Sequence, residues 1–255
     1  MGSFQGKKIL VLGIANERSI AWSIAQSLHQ EGAELCLTYV NEAIERRLRP
    51  LAESLGCTFV EGCDVQSDQH LDALFAKIEE KWGVLHGVVH SIAYAEREDL
   101  QNRFIQTTRK GFHTALDVSA YSLVAIAARA EKLMKEGGSI LTMTYLGAER
   151  AVPHYNVMGM AKAALESAVR YLAVDLGPTN IRVNALSAGP IKTLAAAGIP
   201  QFRDLLTSFG ERAPLKRTVS LEDVSGSAMF LLGSHSSGVT GETLYVDCGY
   251  NILGL

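Results

Sequence analysis

The amino-acid sequence predicts a single-domain α/β Rossmann fold, a seven-stranded parallel sheet flanked by helices on both faces. Three observations carry that reading. Apolar runs such as Lys7-Lys-Ile-Leu-Val-Leu-Gly-Ile14 show no alternation, as in strands covered on both faces. Helical patterns lie between them, as over residues 19–31, where Ile20, Ile24 and Leu28 share a face. Strand and helix alternate through short connections without a repeat of fixed period, which calls for right-handed crossovers.

The elements follow in order. The first strand is predicted over 7–14, and the helix over 19–31 ends at Gly32, as a C-terminal glycine often makes it do. A second strand covers 33–40, and a charged helix covers 41–55 until Gly56 stops it. A third strand at 58–65 precedes a helix at 68–82 that Gly83 ends. The fourth strand is 85–92, and a long Ala-rich helix spans about 110–135. The fifth strand is 138–145, and Pro153 closes the loop before a helix over about 156–176. The sixth strand is 181–189, a helix occupies 221–232, and the seventh strand is 243–249. No linker, low-complexity stretch or charge block divides the chain, so residues 1–255 read as one domain.

Composition excludes several functions. With 47% hydrophobic and 20% charged residues the chain is globular in type. A net charge of -3 leaves no electrostatic footprint for nucleic acid. No run reaches the ~18 apolar residues of a membrane span, and the N-terminus has no apolar signal core. The cytoplasm of a bacterium is the expected location. Cys36, Cys57, Cys63 and Cys248 form no Cys-x2-Cys pair and sit beside no His at zinc spacing, so reduced thiols and no metal are expected.

Chemistry concentrates between residues 145 and 162. Tyr155 and Lys162 stand seven apart, nearly two helical turns, on one face. A nearby ammonium favours the phenolate and is expected to lower the tyrosine pKa, toward the range useful to an acid at neutral pH. Such a pair is also an ordinary amphipathic surface pair, so the spacing alone does not decide. Tyr145 ends the preceding strand, on the side where α/β sheets bind ligands. The turn after the first strand keeps one glycine, Gly13, with Ser19 and Ala21 where later glycines of the dinucleotide fingerprint would stand. Small residues there let backbone N–H groups reach a pyrophosphate. The second strand ends in Tyr39-Val40-Asn41, which holds neither an acid for a ribose nor an arginine for a 2′-phosphate. NADH is therefore expected, with NADPH the alternative.

Tyr-x6-Lys, preceded by Tyr-x9-Tyr, resembles the enoyl-acyl carrier protein reductases, a divergent branch of the short-chain dehydrogenases. Ordinary members carry Tyr-x3-Lys, which counted back from Lys162 would put the tyrosine at Met158. Here it has moved one turn, roughly 5 Å, toward the helix N-terminus. The likeness runs from Lys7 to about Gly249. It implies hydride transfer from NADH to the β-carbon of a trans-2-enoyl thioester borne by acyl carrier protein. Tyr155 would meet the enolate, Lys162 would hold the nicotinamide ribose, and Tyr145 would stand nearby. The cofactor contacts implied, besides Lys162, are Gly13, Ser19, Ile20, Val40, Asp64, Val65, Ile92, Ile191, Thr193, Leu194 and Ala195. Ala95, Met158, Ala196, Ile199 and Phe202 would line the acyl pocket with the two tyrosines. A mobile lid is expected at about 193–210, an ordinary surface helix being the alternative. A homotetramer is implied as well. The rivals are a β-ketoacyl reductase of the same fold, which Met158 argues against, and a non-catalytic dinucleotide-binding regulator.

Overall fold

The computed structural model describes residues 2–194 and 202–254. The chain runs β1 (Lys8–Leu12), α1 (Ile20–Gln30), β2 (Glu34–Tyr39), α2 (Glu42–Ser54), β3 (Val60–Gly62) and α3 (Asp68–Trp82). It continues through β4 (Gly87–His90), α4 (Arg97–Gln101), α5 (Arg109–Leu116), α6 (Ser122–Ala130) and β5 (Gly138–Thr144). The last elements are α7 (Val157–Leu176), β6 (Ile181–Ala188), α8 (Phe202–Arg212), α9 (Leu221–Leu232) and β7 (Thr243–Val246). All seven strands pair in parallel, in the order β3-β2-β1-β4-β5-β6-β7.

Period-two geometry explains why the strands read as unbroken apolar runs. Leu10 and Leu12 of β1 point into one core, shared with Leu74 and Ile78 of α3, Ile126 of α6 and Leu165 of α7. Ile9 and Val11 point into the other, shared with Ile24 of α1, Leu48 of α2 and Leu231 of α9. Burying each such side chain contributes about 1.5–3 kcal/mol, so neither face admits a polar residue without a partner.

Chain order reverses between β1 and β4, and register aligns their ends. Leu12 pairs with His90, and His90 with Thr142. The residues that follow on each strand therefore emerge along one edge, at the topological switch point where open α/β sheets bind ligands.

The structure departs from the sequence expectation in a few elements. The first, third, fourth and seventh strands are shorter than predicted, and of these β3 and β7 are sheet edges paired on one side only. The long Ala-rich helix is present, but a π turn over Asp117–Tyr121 separates α5 from α6. By length and mean hydropathy the stretch Arg109–Leu133 would pass for a membrane span. Its Ala120, Leu123, Ile126, Ala127 and Ala130 instead fill the first core. α4 was not predicted, being five residues long and charged.

Candidate active site

A cavity of about 530 Å³ opens at the carboxyl ends of β1 to β5. Gly13, Ser19 and Ile20 line it from the turn after β1, Val40 from the end of β2, and Asp64 and Val65 from beyond β3. Ile92, Thr144, Lys162, Thr193 and Leu194 complete the other side. Most of the expected cofactor residues thus converge, although they are scattered over 180 positions of sequence. Ile191 is the exception among those described: it is partly buried against the second core and forms no part of the cavity wall. Ala195 lies outside the described residues.

Local chemistry shapes this end. Gly13 has φ +98, and a β-carbon there would sit 2.0 Å from the carbonyl oxygen of Ser91. The turn approaches β4 so closely that only glycine fits. The Ser19 hydroxyl accepts from the N–H groups of Ala15 at 3.0 Å and Asn16 at 3.1 Å. It organises the turn from within instead of capping α1. Asp64 accepts from the N–H of Gln66 at 3.0 Å, so it is a turn residue as well as a cavity wall. Near Val40, Arg46 is 81% exposed and paired with Glu42 on the helix surface. These features fit a dinucleotide: a helix N-terminus at a turn without β-carbon bulk, a carboxylate at the far end, and, over the ring of Tyr39 at the end of β2, an Arg49 guanidinium that Glu45 already engages.

The two tyrosines approach from the next connection. Tyr145 directly follows β5, and Tyr155 precedes α7 by two residues. Their rings meet edge to face, centroids 4.9 Å apart at 72°. Two glycines make room for this. A β-carbon on Gly147 would lie 2.4 Å from Tyr155 Cδ1, and one on Gly159 would lie 2.7 Å from the Gly147 carbonyl oxygen. Tyr155 is flanked by two non-glycine residues at positive φ, His154 at 64° and Asn156 at 42°. Among the described residues, neither phenol hydroxyl has a hydrogen-bond partner.

Lys162 is 4% exposed, and its Nζ donates to the carbonyl oxygen of Met143 at 2.8 Å. Burial pulls its pKa down to about 8, against an opposing pull from Glu166. Glu166, one turn on, is itself buried; it accepts from Thr144 Oγ1 at 2.6 Å, and burial raises its pKa.

The expected tyrosine shift is corrected here. Burial pushes the Tyr155 phenol well above its ordinary pKa, with Tyr145 and Glu166 adding to the rise. Burial also pushes Tyr145 up to about 12, with Tyr250 and Asp247 adding. Helical spacing does not extend to Tyr155, which precedes α7 and is followed by Asn156 at φ 42; the Lys162 ammonium turns to a backbone carbonyl, and loss of water dominates the phenol. Tyr155 is therefore a neutral hydrogen-bond donor.

Several acyl-side expectations also change. Met158 is 5% exposed, and the Ser119 hydroxyl of the π turn lies 3.8 Å from its sulfur, so it packs inward and forms no part of the cavity wall. Ala95 packs against Val157 and Ala161 at the start of α7. Ala196 and Ile199 lie outside the described residues, as do residues 195–201 of the expected lid; from Phe202 on the lid stretch is helical, as α8. Thr142, at the position of the ordinary short-chain dehydrogenase serine, is fully buried within 2.8 Å of His90 Nδ1. The other nitrogen of His90 lies 2.8 Å from Ser122 Oγ, and burial takes its pKa to about 3. This neutral network faces the core and offers nothing to a substrate. Among the described residues no cluster of His, Cys, Asp and Glu could hold a metal, and the four cysteines are free thiols.

Sequence reasoning missed Gly147, Gly159, Asn156 and Ser119. Each acts on a residue distant in the chain or on a ring, so none leaves a periodic signal.

Comparison with known proteins agrees with this geometry. The family model described as enoyl-(acyl carrier protein) reductase matches residues 13–251. The enoyl-[acyl-carrier-protein] reductase [NADH] 1 of Rhizobium meliloti is 54% identical over 254 residues, covering 100% of this chain and 93% of that protein. The crystal structure of the Bacillus cereus enoyl-acyl carrier protein reductase with NADP+ and indole naphthyridinone superimposes with a TM-score of 0.98 at 53% identity, covering both chains fully. The Anaplasma phagocytophilum reductase in complex with NAD gives a TM-score of 0.96 at 48% identity, covering 100% of this chain and 97% of that one. With a switch-point cavity, a buried lysine in its wall and a displaced tyrosine beside a second one, the chain belongs to the enoyl-acyl carrier protein reductase family of the short-chain dehydrogenases.

Proposed function

We propose that the chain reduces the trans-2 double bond of an enoyl thioester carried by acyl carrier protein, with NADH as reductant, in each round of fatty acid elongation. The observation that carries this reading is Tyr155: a neutral phenol without a hydrogen-bond partner among the described residues, held edge to face against Tyr145, which directly follows Thr144 of the cavity wall that also holds Lys162. Bound NADH supplies the hydride for the β-carbon, and a proton from solvent at the α-carbon of the resulting enolate completes the reduction. The protein's part is electrostatic. As the thioester carbonyl gains negative charge, the Tyr155 O–H donates to it, and no water need reorganise at that moment. A raised pKa suits this role, because the proton stays on the phenol until charge develops.

Lys162 binds. Its Nζ is anchored on Met143 in the cavity wall, where it would hold the nicotinamide ribose hydroxyls. Tyr145 packs edge-on against Tyr155 and shields it from solvent. Gly13, Ser19 and Ile20 take the pyrophosphate, and Asp64 with Val65 takes the adenine. The end of β2 favours NADH, since the two arginines nearest it, Arg46 and Arg49, are already paired with Glu42 and Glu45 and would have to give up those partners to compensate a 2′-phosphate.

Assembly and location complete the proposal. Met160, Tyr171 and Val174 lie on one face of α7 and are 43%, 74% and 75% exposed. An apolar face of this kind supports a homotetramer packed through α7. Sedimentation of the native protein should give four chains. The relatives from Rhizobium meliloti and Bacillus cereus support a place in the bacterial cytoplasm.

The test is NADH oxidation followed by absorbance, with a trans-2-enoyl thioester and a 3-ketoacyl thioester offered side by side. Turnover of the enoyl thioester, reduced about 10²–10³-fold in Tyr155→Phe as for loss of one oxyanion donor, is expected. Turnover of the ketoacyl thioester alone would overturn the reading.

A further inference from the structure

Asn156 occupies the N-cap of α7, where an asparagine side chain ordinarily accepts from the first turn of its own helix. Here it makes no such bond. Its Nδ2 donates to the carbonyl oxygens of Asp99 at 3.1 Å, Leu100 at 3.3 Å and Asn102 at 2.9 Å. Those are the last carbonyls of α4 and of the residue just beyond it, the groups a helix leaves without partners of its own. One amide from a different helix thus closes the C-terminus of α4.

The backbone of Asn156 is strained in doing so. It has φ 42 and ψ −121, outside the regions that side-chain-bearing residues favour. Such outliers persist only where surrounding contacts over-determine them, and here the contacts are the three carbonyls. Tyr155 is the residue immediately before it.

The segment held by Asn156 is itself rigid. Asp99 is 3% exposed, and its carboxylate accepts from the N–H of Thr108 at 2.9 Å and from Thr108 Oγ1 at 3.4 Å, at the start of α5. A β-carbon on Gly111 would fall 1.6 Å from Asp99 Oδ2, so that glycine makes space for the carboxylate. Upstream, Ser119 Oγ engages both the N–H and the carbonyl of Tyr94, a cavity wall, and Ala95 packs on α7. The stretch from Tyr94 to Asn102 is thereby fastened to two helices, and through Asn156 to the backbone next to Tyr155.

We infer that Asn156 is a positioning residue: its amide ties the 94–102 wall to the strained backbone after Tyr155 and so sets where the phenol stands relative to the thioester. This inference rests on the reductase reading of Tyr155. It differs from a mere packing role because it separates acyl chemistry from cofactor binding.

The experiment compares Asn156→Gly with Asn156→Asp in the native enzyme. Glycine accepts positive φ without strain but has no amide. Aspartate keeps the shape and turns acceptors toward three carbonyls. Both variants should lower kcat on a trans-2-enoyl thioester about 10–100-fold, the scale of a misplacement near 1 Å, while the KM for NADH stays within about twofold of wild type. Wild-type kcat in Asn156→Gly would overturn the inference, leaving the backbone strain as the only role. A matching loss of NADH affinity would also overturn it, as general disruption. The wild-type enzyme in the same assay keeps the two readings apart. If it fails on the enoyl thioester, the reductase reading falls and the inference with it; if it succeeds while Asn156→Gly is normal, the inference falls alone.

Discussion

The turn after β1 and the turn after β5 each depend on one glycine, for different reasons. At Gly13 the chain adopts φ +98 and passes within 2.0 Å, measured from a hypothetical β-carbon, of the backbone of Ser91. Backbone meets backbone, and neither side can move without disturbing the sheet. Gly147 needs no unusual φ; it leaves space for the ring of Tyr155, 2.4 Å from where a β-carbon would stand. There backbone meets side chain. The cofactor end is therefore a property of the fold, whereas the acyl end is an arrangement of side chains mounted on it. The first should fail by losing stability, the second by losing chemistry.

Gly13→Ala is the strongest test of that contrast. It combines a forbidden φ with a backbone clash, and a loss of about 3 kcal/mol is expected. For a domain of this size that lowers Tm by about 6–12 °C, and NADH affinity should fall with it. A variant that melts with the wild type would show that the close approach is no constraint.

Gly147→Ala should behave in the opposite way. Displacing the Tyr155 ring is expected to lower kcat/KM for the enoyl thioester about 100-fold, equal to ~2.7 kcal/mol. The dissociation constant for NADH, read by fluorescence titration, should be unchanged. A parallel loss of NADH binding would erase the distinction between the two ends.

Lys162 sits where the two regions join, and pH sharpens its role. Its folded pKa of about 8 lies below the 10.5 of an unperturbed lysine. Between those values the unfolded chain holds more protons, so this group's contribution to stability rises with pH across that window. At pH 7 the buried charge is a cost. Lys162→Met should therefore raise Tm at pH 7, by about 2 kcal/mol of stability after the lost hydrogen bond to Met143 is counted. That advantage should shrink toward pH 10, while NADH binding is weakened throughout. An advantage independent of pH would mean that the ammonium is not desolvated as the structure implies.

Much of this was legible in advance. The seven strands, their parallel pairing and the strand-end residues follow from unbroken apolar runs alternating with helical patterns. Val40, Asp64, Val65 and Ile92 were expected from the family resemblance, and each stands at the end of a predicted strand. Tyr155 and Lys162 were marked by their spacing together with Tyr145 and the family resemblance that the three residues carry. What escaped has a common cause. The clamp on Asn156 joins residues more than 50 positions apart, and Ser119 holds Tyr94 through a π turn that no period announces. Met158 was expected in the acyl pocket from the family resemblance, and it packs inward here, because a matched position in the sequence does not report what covers it. The direction of the Tyr155 shift was wrong for the same reason, since spacing reports which groups can meet and not how much water remains around them.

By itself, then, the sequence determined the layers, the order of the strands' ends and the chemistry-bearing residues of this reductase, because those depend on side-chain period and residue type along the chain. Only the tertiary structure decided that Tyr155 is a buried, protonated phenol, that Lys162 lines the switch-point cavity, and that Asn156 binds α4. Each of these depends on desolvation or on contact across the fold, and both arise from how elements pack in space.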